Sequence, residues 1–277
     1  MNIIENIQFR FKRWDRRGAI SKRQQFIVIT LILTSGLLLT QFSGGELRYP
    51  LVFLLALLAY GLSAFGLRED LKSSEFLTLL ALPTLFTAAV AAFYFLLPVR
   101  WLTRLPIAVL YAVGMYGLLL TENIYNVAAN RTIALLRAAH SVGFLLTLVT
   151  FFLLVQTVLA FRLPGIINAA LSAAIAWVLI IQSLWAMELE ERISPRVKQL
   201  SIVLAIAIFQ ITWALSLWPV KTTLVALFLT TFLYSTTGMA QQYVADRLYK
   251  RTVVEFFSVT FLVLCIVLAT THWRGNL

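Results

Sequence analysis

The side chains best suited to chemistry lie near the end of one apolar segment and the start of the next. They are a carboxylate, an amide, two guanidinium groups and an imidazole: Glu122, Asn126, Arg131, Arg137 and His140. Glu122 and Asn126 are four residues apart, so they share one face of a helix. Such a set can hold a polar headgroup or transfer a proton, because a carboxyl group and an imidazole both exchange protons readily.

A carboxylate inside an apolar segment needs a partner, since a buried charge without one is costly. We expect Arg137 or Arg131 to pair with Glu122, because only a short connection separates these residues. One interpretation is a binding pocket. Gln241, at the end of a later apolar segment, is also expected to line it. The other is a structural network, in which the ion pair and the amides fix the corner between two helices.

The apolar segments indicate the class of protein. The chain has 277 residues, of which 60% are hydrophobic and 13% charged, and its mean hydropathy is +0.86. This composition excludes an ordinary soluble domain and a disordered chain. About 20 apolar residues cross a bilayer as a helix, and nine stretches fit: residues 25–43, 50–67, 76–98, 105–124, 139–161, 164–186, 200–218, 220–240 and 253–272. The sequence therefore predicts an all-α polytopic membrane protein, with residues 25–277 as a single transmembrane domain.

Charge and proline positions predict how the spans are arranged. If the nine spans alternate in direction, 17 of the 23 lysine and arginine residues fall on the side of the N-terminus. Cytoplasmic loops carry such an excess, which predicts an N-terminus inside and a C-terminus outside. Spans 2, 4, 6 and 8 begin at prolines, which suit the first turn of a helix: Pro50, Pro106, Pro164 and Pro219. We expect four hairpins with tight outer turns and a ninth, final helix.

The N-terminal segment, residues 1–24, is basic and amphipathic. Its apolar side chains recur at helical spacing: Ile3, Ile7, Phe11 and Trp14. This pattern is typical of a helix lying in the inner membrane surface. A plain basic tail that only sets the orientation of the protein is the alternative.

Two amides deeper in the spans suit a structural role. Gln156 in span 5 and Asn168 in span 6 are about equally distant from the turn that joins these spans. Interhelical hydrogen bonds are a common role for amides in a bilayer. We therefore expect Gln156 and Asn168 to bond to each other across that hairpin.

Several classes of function find no support in the sequence. Cys265 is the sole cysteine, and the two histidines, His140 and His272, fall near opposite membrane faces. We therefore expect no metal site, no haem and no other cofactor. The chain also lacks the hydrolase and nucleotide-binding motifs that a sequence can reveal. The net charge of +11 borders apolar segments, which indicates membrane lipids rather than nucleic acid as the partner.

The function predicted from these observations is binding of a lipid or small amphiphile at a polar cluster in the cytoplasmic leaflet. The location expected is the plasma membrane of a prokaryote. One alternative is a non-catalytic accessory or scaffold subunit, with other membrane subunits or a second copy as partners. Another is a membrane-embedded enzyme that acts on a lipid headgroup, with Glu122 or His140 as acid or base. The absence of catalytic motifs favours a protein that is not an enzyme.

Overall fold

The computed structural model describes residues 21–40, 48–67, 76–97, 101–128, 135–190 and 192–271. These residues form nine α-helices and no β-strand, which confirms the prediction of a polytopic all-α membrane protein. The helices are α1 Lys22–Thr40, α2 Arg48–Leu67, α3 Phe76–Tyr94, α4 Trp101–Ala128, α5 Leu136–Ala160, α6 Gly165–Glu188, α7 Pro195–Ser216, α8 Thr222–Val244 and α9 Lys250–Thr270. The predicted amphipathic helix at the N-terminus lies almost entirely outside the described residues.

Of the nine described helices, eight are long and apolar enough to cross a membrane. The exception is α3, whose apolar stretch, Thr78–Tyr94, is shorter than the others. This helix packs against α2, α4, α5 and α6 and lies inside the bundle. Its residues Leu79, Leu80 and Ala89 are fully buried. The short helix is thus held by protein contacts on several sides.

Two of the four prolines expected at helix starts lie elsewhere. Pro164 is the N-cap of α6 and Pro50 falls in the first turn of α2, where the backbone N–H groups have no helical partner. Pro106, in contrast, lies inside α4, because that helix begins at Trp101. Pro219 precedes the start of α8. Pro106 therefore removes one hydrogen bond from the second turn of α4.

The helix ends meet in two layers. At one end α1, α3, α5, α7 and α9 begin, and α2, α4, α6 and α8 end. The Asn126 amide donates to Leu67 O there, at 3.2 Å, and joins the last turns of α4 and α2. Arg196 and Asp246 form a salt bridge of 3.5 Å at the same end, between α7 and the residues after α8. We name this the predicted cytoplasmic end, since the charge rule assigns it to the cytoplasm.

At the opposite end of the bundle, the predicted hydrogen bond between Gln156 and Asn168 is absent. Gln156 Nε2 donates to Thr223 Oγ1 of α8 at 3.2 Å, and Asn168 Nδ2 donates to Leu163 O at 3.0 Å. The two amides therefore do not bond to each other. Asn168 instead donates to a carbonyl in the turn before its own helix, which is only five residues away in the chain.

The last helix, α9, is the least enclosed. It packs mainly on α8, and only 6% of its apolar window is buried. Ser235 Oγ of α8 donates to Phe256 O at 3.0 Å, and Thr260 Oγ1 donates to Ser235 Oγ at 2.7 Å. These two hydrogen bonds hold α9 against α8 near the predicted cytoplasmic end.

Candidate functional site

Glu122 and Gln182 form a buried pair between α4 and α6. Gln182 Nε2 donates to Glu122 Oε1 at 2.7 Å, and the exposed fractions are 3% for Gln182 and 0% for Glu122. Each residue lies six positions before the end of its helix, which is about 9 Å along the helix axis. The remaining oxygen of each side chain, Glu122 Oε2 or Gln182 Oε1, has no hydrogen-bond partner among the described residues.

No cation in the described part of the chain compensates the Glu122 carboxyl group. Within that part, no lysine, arginine or histidine forms a salt bridge with it. Arg137, one of its two predicted partners, is exposed, so this prediction is wrong for Arg137. The other, Arg131, lies outside the described residues. An ionised carboxylate without a cation is expensive at this depth, so Glu122 is either protonated or paired with a group outside the described residues.

His140 caps the end of α6. The last carbonyls of a helix have no partner within it. Leu189 N donates to one of them, Trp185 O, at 2.9 Å, and His140 Nε2 lies 2.9 Å from the next, Ala186 O. A carbonyl only accepts hydrogen bonds, so Nε2 carries the proton. In the same way, the Asn126 amide donates a hydrogen bond to Leu67 O, the last carbonyl of α2.

Tyr125 connects the start of α5 to α4. Its hydroxyl donates to Ala139 O at 2.9 Å, and its ring lies against the His140 ring with centroids 5.6 Å apart. The two helices approach closely at Gly143, where a Cβ atom would be 2.6 Å from the Tyr125 hydroxyl oxygen. Glycine is required there because any side chain would displace the tyrosine.

A small cavity lies between α3, α4, α5, α6 and α8, beside the buried pair. Its inner wall includes Tyr125, Gln182 and Ser183, and its outer wall consists of half-buried side chains: His140, Phe144, Met187 and Gln241. Gln241 Nε2 donates to Ser183 Oγ at 2.8 Å and so ties α8 to α6. The cavity has about 10 Å³ of open space, close to the smallest volume that holds one water molecule.

The structure thus brings together part of the predicted site. His140 and Gln241 line the cavity, and Glu122 reaches it through Gln182. Asn126 lies at the same end, but its amide bonds to α2 and it does not line the cavity. Among the described residues, no group of three or more histidine, cysteine, aspartate or glutamate side chains could hold a metal ion.

Comparison with known proteins yields a family without an assigned function. DUF5656, described as a protein of unknown function, matches residues 51–270, which is most of the chain. The chain belongs to the DUF5656 family. No curated protein and no solved structure matches it. The DUF5656 match begins in α2, ends with α9 and includes Glu122, Gln182 and the cavity.

Three residues of this candidate site were not among the predicted site residues: Tyr125, Gln182 and Ser183. Gln182 carries a signal in the sequence, because an amide inside an apolar span, four residues before its predicted end, is unusual. Ser183 gives little signal, since serine is common in membrane helices. Tyr125 gives little either, because tyrosine is enriched wherever a helix reaches the membrane surface.

Proposed function

We propose that this protein binds a lipid or small amphiphile whose polar part reaches the Glu122–Gln182 pair through the adjoining cavity. The observation that carries the proposal is the carboxyl group of Glu122, which is fully buried, has one amide donor and has no cation among the described residues. Polar groups at membrane depth are expensive and usually mark a functional site. The charge distribution of the chain supports a site in the cytoplasmic leaflet. We further propose a prokaryotic plasma membrane as the location.

The cavity suits an amphiphile because its wall is mixed. Gln182, Ser183 and Gln241 supply polar groups, whereas Leu82 and Phe144 supply apolar surface. The outer wall is only half-buried, so the cavity lies near the surface where α5, α6 and α8 meet. A large headgroup does not fit in about 10 Å³, so the ligand must present a small polar group or separate these helices.

A scaffold protein is the second candidate, and the small cavity favours it. The amides of Gln182 and Gln241 and the rings of Tyr125 and His140 already bond to neighbouring helices. Such a network can serve only to hold α4, α5, α6 and α8 together. In that case Glu122 is a structural residue, and no bound molecule depends on it.

Native mass spectrometry of the protein extracted in mild detergent distinguishes the two candidates. Glu122→Gln removes the charge but keeps the shape of the side chain. Glu255→Gln makes the same change on α9, where Glu255 is exposed and pairs with Arg251 at 3.1 Å. We expect a discrete bound mass on the wild-type protein and on Glu255→Gln, and its loss from Glu122→Gln.

The opposite results are equally clear. A bare protein, or a mixture of lipids that is identical in all three forms, contradicts ligand binding at this site and supports the scaffold. A bound mass lost from both variants points to a general effect of charge on lipid retention and also contradicts the proposal.

A further inference from the structure

We infer that the ligand of this site presents a primary ammonium group, an inference that rests on the proposed function. The described atoms of the site that have no partner are all acceptors. Glu122 Oε2 and Gln182 Oε1 are buried and receive no hydrogen bond within the described part of the chain. At the same end, Asn123 Oδ1 and Glu188 Oε2 are in the same condition. Buried acceptors normally receive a hydrogen bond, so these oxygens need a molecule that donates one.

Three of the neighbouring donors are engaged elsewhere. Gln241 Nε2 bonds to Ser183, the Tyr125 hydroxyl to Ala139 O and the His140 Nε2–H group to Ala186 O. Trp185 Nε1, at the end of α6, donates to Glu190 O at 2.9 Å. None of these groups can turn to Glu122 or Gln182 without leaving a buried carbonyl or hydroxyl unpaired, which carries its own penalty. The described part of the chain therefore does not supply the missing donor, and we assign it to the ligand.

The charge of the site selects a cation. Glu122 is a carboxyl group without a basic partner in the described residues, although the chain carries a net charge of +11. An ionised Glu122 repels a phosphate or carboxylate headgroup, and the unpaired oxygens Glu122 Oε2 and Gln182 Oε1 cannot donate a hydrogen bond to one. A cation that donates hydrogen bonds forms charge-assisted bonds with Glu122, which are about twice as strong as neutral ones.

The size of the cavity selects among cations. An ammonium group, –NH₃⁺, is similar in size to a water molecule, and the open space of about 10 Å³ is near the lower limit for one water. A trimethylammonium group is larger and has no N–H donor. Leu82, Phe144 and Met187 line the rest of the cavity and offer an apolar surface to the hydrocarbon stem of an amine.

A series of octyl probes tests the inference in the wild-type protein. The probes are octylammonium, octyltrimethylammonium, 1-octanol and octyl phosphate, and bound probe is measured by native mass spectrometry at several concentrations. We expect octylammonium to bind with a stoichiometry of one and at least about tenfold more tightly than the other three. Glu122→Gln should weaken octylammonium binding at least about tenfold, whereas Glu255→Gln should leave it unchanged.

Each other result has a definite meaning. Equal binding of octyltrimethylammonium shows that charge alone is recognised and overturns the ammonium inference. Octanol or octyl phosphate binding that depends on Glu122 also overturns it but leaves the proposed function standing. The same holds if a native bound mass depends on Glu122 while octylammonium does not bind. If no probe and no native mass depends on Glu122, the proposed function fails as well.

A second variant covers the case in which Glu122→Gln does not fold. Gln182→Met keeps the length of the side chain but removes one of the two unpaired acceptors, together with the amide that donates to Glu122. We expect Gln182→Met to weaken the binding of octylammonium and to leave the binding of 1-octanol unchanged. An equal loss for both probes, or no loss for either, contradicts recognition by the Glu122–Gln182 pair.

Discussion

The site depends at Gly143 on the absence of a side chain. A Cβ atom there would lie 2.6 Å from the Tyr125 hydroxyl oxygen and 3.2 Å from Thr121 Cγ2. Tyr125 cannot easily give way, because it is buried and its hydroxyl bonds to Ala139 O. Gly143 therefore sets the distance between α4 and α5 and, with it, the position of the Tyr125 ring beside His140.

We predict that Gly143→Ala lowers the free energy of unfolding by about 1–3 kcal/mol, the usual cost of overpacking. The double variant with Tyr125→Phe should recover part of this loss, because it removes the hydroxyl oxygen that the new methyl group meets. Reversible unfolding in mixed detergent micelles measures both effects.

Gly117→Ala is the matched control on the same pair of helices. Its Cβ atom would have one neighbour, Val142 Cγ1, at 4.0 Å, which is an ordinary contact. We expect this variant to leave stability unchanged or to raise it by up to about 1 kcal/mol, because alanine favours a helix more than glycine does. If Gly143→Ala and Gly117→Ala behave alike, the close approach at Gly143 does not limit the packing.

At the scale of helices, α3 and α4 are joined by a hydrogen bond that lies deep in the bundle. Thr87 Oγ1 and the Tyr111 hydroxyl are 3.0 Å apart, and the Tyr111 ring stacks on Phe86 with centroids 5.7 Å apart. Because α3 is short, such contacts hold it in place.

We predict a coupling energy of about 0.5–1.5 kcal/mol between Thr87→Val and Tyr111→Phe in a double-mutant cycle, the range found for interhelical bonds in membranes. Both substitutions keep the shape of the side chain, so packing against Phe86 is retained. Additive effects on stability would show that the bond contributes nothing.

The positions of the helices were largely predictable, because an apolar stretch of about 20 residues is long enough to cross a bilayer and seldom occurs in a soluble protein. Each predicted span corresponds to a helix of the structure whose ends differ by a few residues. The largest difference is five residues, at the start of α7, where the helix begins at Pro195 and the predicted span at residue 200. Hydropathy misses this start because the first turn of α7 is polar, although Ser194 and Pro195 are typical of a helix N-terminus.

The partners of the polar residues were much less predictable. The sequence placed Glu122, His140 and Gln241 at one end of the bundle, and the structure agrees. It did not identify Gln182 as the partner of Glu122, because the two residues are 60 positions apart. Such a pair depends on which faces of α4 and α6 meet. Arg137 was the nearer choice along the chain, but its side chain lies on the exposed face of α5.

For the whole molecule, the central question is which end faces the cytoplasm. Arg192 is exposed at the predicted cytoplasmic end, and Lys221 is exposed at the other. We predict that, in a protein with Cys265→Ala, a cysteine at Arg192 reacts with a membrane-impermeant maleimide only after the cells are permeabilised. A cysteine at Lys221 should react in intact cells. The reverse pattern would place the Glu122 site in the outer leaflet and contradict the charge rule for this protein.

Photo-cross-linking in native membranes tests the existence of the binding site most directly. A benzoylphenylalanine replaces Phe144 on the outer wall of the cavity, and a second protein carries it at the exposed Phe257 of α9 as a control. We predict that position 144 yields one discrete adduct, which Glu122→Gln abolishes, whereas position 257 yields mixed lipid adducts that this substitution leaves unchanged. Mixed lipid adducts at both positions, or an adduct at position 144 that persists in Glu122→Gln, would contradict ligand binding at the Glu122–Gln182 pair.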